Sequence, residues 1–381
     1  MEKPTGQVKD KNSLSTIAKL FLKLGIIGFG GPAVHIALMQ EEVVKKRGWM
    51  SEEHFLDLVG VTNLIPGPNS TEMTMHIGHE RAGWKGLIIA GCCFIFPAVI
   101  ITAFFAWLYH KYGQLPQMQP FIYGIKPAII AVVVSLMISL GRKALKSTEL
   151  GIIGIFAAVA VLAGFNEINV LFGGGLLGIV IYLLKKANKT ANAILPFVLL
   201  QIPNPTINLA DFKLFLIFLK IGSILYGSGY VLFAFLDAEL VSKGLLTKQQ
   251  LVDAIAVGQF TPGPVFSSAT FIGWQIGEAS GAIAATIGIF LPSFLFVALL
   301  NPLIPRIRKS KIMSAFLDTI NIVSIAIILS VIVELGRSTL LDWRTITIAI
   351  ISFAVTFYFK KINTAFIILG GAVMGYALTM V

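Results

Sequence analysis

Cysteine is almost missing from this 381-residue chain: there are two, Cys92 and Cys93, side by side inside an apolar run. Adjacent thiols in such a run give neither a disulfide framework nor the spaced ligands of a metal site, and read as small core residues. Charge is scarce too. Only 13% of residues are charged, with 19 acidic against 30 basic, whereas soluble domains carry about 25% charged residues. There is no His-Glu-x-x-His, no phosphate-binding glycine run ending in Lys-Ser/Thr and no serine elbow. These absences exclude an ordinary soluble domain and give no support to a metalloenzyme or hydrolase, so neither catalysis nor a cofactor or metal is expected. The first 16 residues (1–16) are polar and lack the apolar core of a cleaved signal peptide.

What the chain does have is hydrophobic length. The apolar fraction is 56% and the mean hydropathy +0.84. Runs such as Trp84–Tyr109, Phe121–Leu140, Gly281–Leu300 and Phe316–Glu334 reach the roughly 20 residues that cross a bilayer as a helix. An all-α polytopic membrane protein, with the lipid bilayer as its solvent, follows. The basic residues gather in short loops: Lys45-Lys46-Arg47, Arg142/Lys143/Lys146, Lys185-Lys186/Lys189, Arg306/Arg308/Lys309/Lys311 and Lys360-Lys361. Between apolar runs these read as positive-inside anchors and not as a nucleic-acid surface. The excess of positive charge favours an anionic solute.

The chain also repeats itself. Pro66-Gly67-Pro68 recurs as Pro262-Gly263-Pro264, and the surrounding blocks align for about 80 residues. Phe21-Leu22-Lys23 answers Phe218-Leu219-Lys220, Gly30 answers Gly227, Glu42 answers Glu239, Asp57 answers Asp253, and Pro97 answers Pro292. The reading is two homologous units, 17–184 and 211–381, joined by a polar, proline-bearing linker at 185–210.

Six hydrophobic segments are expected per unit. In the first they are 17–39, 54–78, 84–109, 121–141, 150–164 and 168–184. In the second they are 212–236, 250–275, 279–304, 315–335, 345–359 and 363–381. The second of each set is too polar for lipid and is broken by Pro-Gly-Pro, so it reads as a re-entrant or broken hairpin. About ten transmembrane helices and two such hairpins remain. Five crossings per unit invert the second unit relative to the first and, with the N-terminus outside, put all five basic clusters in the cytoplasm. Lys3, Lys9 and Lys11 of the tail disagree, and a hairpin in place of the first span would move the N-terminus inside.

A helix start carries about half a positive charge and unpaired N–H groups, which suit an oxyanion. Such starts follow both Pro-Gly-Pro breaks. The candidate anion site therefore comprises Asn63, Pro66, Gly67, Pro68, Asn69, Ser70 and Thr71 from one unit. Gln259, Pro262, Gly263, Pro264, Ser267 and Ser268 come from the other. Lys23 and Lys220 are candidates to neutralise the anion, with an interfacial role as the alternative. Glu72 and His76 share a helix face and have serine and Phe271 as counterparts, so they are candidates to carry a coupling proton; Asp57 and Asp253 are the others.

These residues resemble the chromate transporter family. The match lies in Phe29-Gly30-Gly31-Pro32, Gly48-Trp49, Asn63 through Pro68 and Gly78 through Pro97. It is repeated at Gly227, Gly244, Gln259 through Pro264 and Gly273 through Pro292. Two positions depart from the pattern: Asn63 stands where the family favours glutamine, and Tyr226-Gly227-Ser228-Gly229 stands opposite Phe29-Gly30-Gly31-Pro32. The resemblance implies a secondary transporter in the cytoplasmic membrane of a prokaryote that exports chromate, with sulfate as a related oxyanion. A homodimer is one assembly open to it. The competing expectation is an exporter of amino acids or related metabolites, since Pro66–Asn69 copies a stretch found in such families; those chains are about half as long and unduplicated.

Overall fold

The computed structural model describes residues 14–29, 31–113, 115, 118–187, 210–226, 231–300, 310–359 and 362–380. The tail lysines Lys3, Lys9 and Lys11, most of the linker, Gly30, Gly227, Ser228, Gly229, Lys189, Arg306, Arg308, Lys309, Lys360 and Lys361 lie outside these residues. All regular secondary structure among the described residues is helical, with no strand among them.

In the first unit, α1 (Leu14–Ile27) ends at a break, and α2 (Pro32–Met39) follows with a π-helical extension over Gln40–Lys46. Pro32 opens α2 after Gly31 at φ 83, a backbone state that glycine adopts without strain. Lys23 on α1 nevertheless reaches Glu42 at 2.9 Å, where a straight helix would separate them by about 28 Å. The chain has turned back on itself. The expected single span over 17–39 is therefore corrected to a helical hairpin. The second unit repeats it with α8 (Ala210–Ile224), α9 (Val231–Leu236) and a π-helical turn Asp237–Val241, closed by Lys220 and Glu239 at 2.7 Å.

The next hairpin contains Pro-Gly-Pro. Its first limb is α3 (Glu52–Thr62), capped by Ser51 accepting from the His54 amide. Its second limb opens α4 (Asn69–Tyr112). Asn69 Nδ2 donates to Asn63 Oδ1 at the apex (2.6 Å), and His54 meets Glu80 at the base (2.6 Å), so the limbs run antiparallel. At Ala82 and Gly83 the dihedrals leave the helical region and α4 doubles back. A Cβ on Gly78 would run into the Gly86 carbonyl, although eight residues of straight helix span about 12 Å. The second unit has α10 (Lys248–Phe260), a short 3₁₀ turn Val265–Ser267, and α11 (Ser268–Leu300) doubling back at Gly277 and Glu278. Thr247 and Gln250 form a capping box at the start of α10.

The remaining described helices are α5 (Gln119–Ala144), α6 (Thr148–Leu162), α7 (Glu167–Ala187), α12 (Lys311–Thr339), α13 (Trp343–Tyr358) and α14 (Thr364–Thr379). Five described segments are long and apolar enough to cross a membrane: Asn69–Tyr112, Gln119–Ala144, Glu167–Lys185, Val265–Leu299 and Lys311–Thr339. α6, α13 and α14 are apolar but shorter. Their outward residues Phe156, Ile350 and Phe366 stay exposed, as lipid-facing surfaces do. The chain is a multi-pass membrane protein.

α1 packs on α4, and α8 on α11. Phe21, Phe55 and Phe94 fill a core in the first unit, and Phe218, Phe233, Phe266 and Ile289 belong to the larger core in the second. Between units, the base of the second Pro-Gly-Pro hairpin lies against the far end of α4. Tyr109 Oη donates to Asp253 Oδ2 at 2.6 Å, and Gln275 Nε2 donates to the Ala106 carbonyl at 3.3 Å. The base of the first hairpin, at His54 and Glu80, sits at the opposite end of that arm.

Candidate functional site

The two Pro-Gly-Pro apices are bound into the opposite unit by matching contacts. Gly67 N–H donates to the Leu225 carbonyl at 2.8 Å, and Gly263 N–H donates to the Gly28 carbonyl at 2.7 Å. Leu225 and Gly28 occupy the same place in their units, where α8 and α1 stop. Each broken helix thus leaves carbonyls unpaired, and the other unit's glycine amide satisfies one of them. Both glycines have positive φ, 137 and 89. Their own amides are consequently engaged by protein, and a ligand would use the first turns that follow.

In the first unit that turn is tightly buried. The amides of Thr71 and Glu72 return to the Pro68 carbonyl, while helix geometry leaves those of Asn69 and Ser70 without intrahelical partners. Ser70 Oγ pairs with His35 Nδ1 at 3.1 Å, and His35 Nε2 pairs with the Gly28 carbonyl at 2.8 Å. Glu72 is 0% exposed. Its Oε1 accepts from Ser293 Oγ of α11 at 3.3 Å. Glu72 Oε2, Thr71 Oγ1 and His76 Nε2 are buried with no hydrogen-bond partner. A Cβ on Gly67 would fall against both Glu72 Oε1 and Ser293 Oγ, so the carboxylate lies directly against the apex.

The second unit presents hydroxyls instead. Thr102 Oγ1 of α4 reaches Ser267 Oγ at 3.3 Å and Thr261 Oγ1 at 3.5 Å. Ser268 Oγ is buried without a partner, and Gln259 is buried. Asn63 is exposed and hydrogen-bonded to Asn69. The structure therefore sets Ser70, Thr71 and Glu72 beside the first apex and Ser267 and Ser268 beside the second, with His76 about two turns farther along α4.

Other sequence candidates sit elsewhere. Lys23 and Lys220, 52% and 44% exposed in their side chains, are ion-paired with Glu42 and Glu239. Of the two roles expected of them, neutralising the anion or sitting at an interface, these pairs with carboxylates near the hairpin bases fit the second. Glu42 also binds Lys46 at 3.2 Å and Arg47. Hydrogen bonds from Lys23 and Arg47 outweigh the desolvation of Glu42 and, with Lys46, pull its carboxyl down to about 2. Asp253 is held by Tyr109 and by Gln249 Nε2 at 3.0 Å, and Asp57 is half-buried on α3. An open groove of about 550 Å³ lies on the outer face of α6, α7 and α12, lined by Ile152, Phe156, Leu177 and Val323. Its walls are those of a lipid contact and not of an anion site.

Ser293, His35, Thr102 and Tyr109 were not visible as site residues in the sequence. One signal did exist for Ser293: it follows Pro292, and its counterpart after Pro97 is Ala98, so this polar group belongs to one unit alone.

The family model described as "Chromate transporter" matches the chain twice, over residues 15–179 and 212–376. The chain is 29% identical to a probable chromate transport protein of Synechococcus elongatus, over 95% of this chain and 95% of that protein. It is 27% identical to the chromate transport protein of Cupriavidus metallidurans, over 95% and 92% of the two chains. Identity to the chromate transport protein of Pseudomonas aeruginosa is 28%, over 93% and 90%. No solved structure matches. The chain belongs to the chromate transporter family.

Proposed function

We propose that this member of the chromate transporter family is a secondary transporter that exports chromate across the cytoplasmic membrane of a prokaryote, with sulfate as a competing oxyanion. The observation that carries the proposal is the reciprocal seating of Gly67 on Leu225 and Gly263 on Gly28. It ties each helix start to the end of the opposite unit's first helix, which supports one site shared by the two starts, and helix starts attract tetrahedral oxyanions. The hydroxyls of Ser70, Thr71, Ser267 and Ser268 supply donors to such an anion without a metal.

Alternating access is the mechanism that fits. The pairing of Tyr109 with Asp253, and no longer a count of five crossings per unit, supports units inserted in opposite senses, with hairpins entering from opposite faces. Rocking one unit against the other would then expose the same site to each side in turn. The hairpin over α1 and α2 bears on topology as well. It puts the start of α1, at Leu14, on the same face as Lys45-Lys46-Arg47, which supports a cytoplasmic assignment for that end of α1. The amino-acid exporter reading has nothing in the structure or the comparisons to favour it.

The test is uptake of labelled chromate into proteoliposomes containing the purified chain, with sulfate and amino acids as competitors. Chromate is expected to move and sulfate to compete. Movement of an amino acid, with neither oxyanion transported, would overturn the proposal.

A further inference from the structure

Glu72 is an unusual occupant for an anion site. It lies in the first turn of α4, fully buried, with its carboxylate against the Pro-Gly-Pro apex. The carboxylate's only described hydrogen bond comes from the neutral Ser293 hydroxyl across the unit boundary, and its second oxygen has no partner. The other deeply buried glutamates, Glu42 and Glu239, each have at least two cations. The titratable groups that face Glu72 are the Tyr226 phenol from the end of α8, within its electrostatic reach, and His76 one turn along its own helix. His35 on α2 stands behind Ser70. Neither Tyr226 nor His35 is a fixed cation that would neutralise the carboxylate.

An ionised Glu72 and a bound oxyanion would compete for the same helix start, and their like charges would repel strongly in so buried a site. A protonated Glu72 removes that repulsion and gains an O–H to donate. We infer that Glu72 gates the oxyanion site through its own protonation, so that proton and oxyanion bind together and cross in the same direction. This rests on the reading of the apices as the oxyanion site. It deepens that reading by fixing the sign of the coupling, since a proton that favours anion binding must be favoured by the anion in return. The balance is simple: one proton joins the Glu72 carboxylate on the side where chromate is taken up, and leaves on the side of release.

The experiment uses the full chain in proteoliposomes with the membrane potential clamped. Chromate exchange is measured with equal pH on both sides, and proton movement is followed by an internal pH dye when a chromate gradient is imposed. In the wild type, chromate influx should acidify the lumen, and chromate affinity should fall about tenfold per pH unit once Glu72 ionises. In Glu72→Gln, affinity should stay at the wild type's low-pH value, apart from the slope due to chromate's own protonation, and the Glu72-linked proton flux should disappear. Protons moving against chromate, or a Glu72→Gln variant that keeps the wild-type slope and flux, would overturn the inference. Should Glu72→Gln fail to fold, Ser293→Ala serves. It removes the one hydrogen bond to the carboxylate, so the affinity curve should shift to higher pH with its slope retained; an unshifted curve would overturn the inference. Absence of any chromate exchange in the wild type refutes the oxyanion site itself, which is a separate outcome.

Discussion

Replacing Gly67 by alanine is the sharpest test of the crossed apices. Gly67 sits at φ 137, a region that L-residues hold only at about 1–3 kcal/mol of strain. The new methyl would also press on Glu72 Oε1 and Ser293 Oγ, both in fully buried side chains. Overpacking of this kind costs about 1–3 kcal/mol, so the total is about 2–6 kcal/mol. Gly60 is the control. It lies on an exposed face of α3 with nothing within 4 Å of an added Cβ, and Gly→Ala in a helix gains about 0.5–1 kcal/mol. The assay is thermal unfolding of both variants in detergent, paired with chromate uptake in liposomes. Gly67→Ala should unfold several degrees below wild type and lose uptake, while Gly60→Ala should match or exceed wild type. A Gly67→Ala protein as stable and active as Gly60→Ala would refute the placement of Glu72 and Ser293 against the apex.

Glu42→Gln should lower stability at pH 7 by about 1–2 kcal/mol, a figure reduced because Lys23 and Lys46 are more than half exposed. Hydrogen bonds from Lys23 and Arg47, against desolvation, hold Glu42 at about 2, below its ordinary 4.5. Its ionised form therefore stabilises the fold fully above pH 4.5, and that advantage is lost as pH falls through 2. Unfolding temperatures of the two proteins should converge over that window; a constant gap would contradict the ion cluster. Tyr109→Phe removes a donor from the buried Asp253 carboxylate and should cost about 1–3 kcal/mol. An unchanged unfolding temperature would show that this contact does not tie the units together.

Duplication and the polar break were legible because proline and glycine are local signals: Pro66-Gly67-Pro68 and Pro262-Gly263-Pro264 interrupt a helix wherever they occur. The boundary between segments 54–78 and 84–109 also fell at the true reversal, Ala82-Gly83. The α1–α2 hairpin was harder to read. Residues 17–39 are apolar and long enough to span, and hydrophobicity carries no information about direction. Gly31-Pro32 marked the break, but the reversal depends on Lys23 finding Glu42, a contact across 19 residues. The same limit hid the site. Glu72 was legible as an ionisable group inside the membrane, whereas Ser293 is 221 residues away, and only the packing of α11 on α4 brings it to the carboxylate.

The inequality of the two half-sites bears on direction. Chromate carries two negative charges, so export with one proton on Glu72 moves one net negative charge outward. A potential negative inside favours that step by about 2.3 kcal/mol per 100 mV. Exporting the proton against a more acidic exterior costs about 1.4 kcal/mol per pH unit. Export therefore stays downhill at ordinary potentials with a single gating carboxylate, even though proton and anion travel together. A second proton would cancel the charge, remove the electrical drive and leave only the pH gradient, which points inward. Phe271 and serine stand where a second Glu72–His76 set would be. The absence of an ionisable pair at these positions of the second unit is thus what the inferred gating by Glu72 needs in order to work outward.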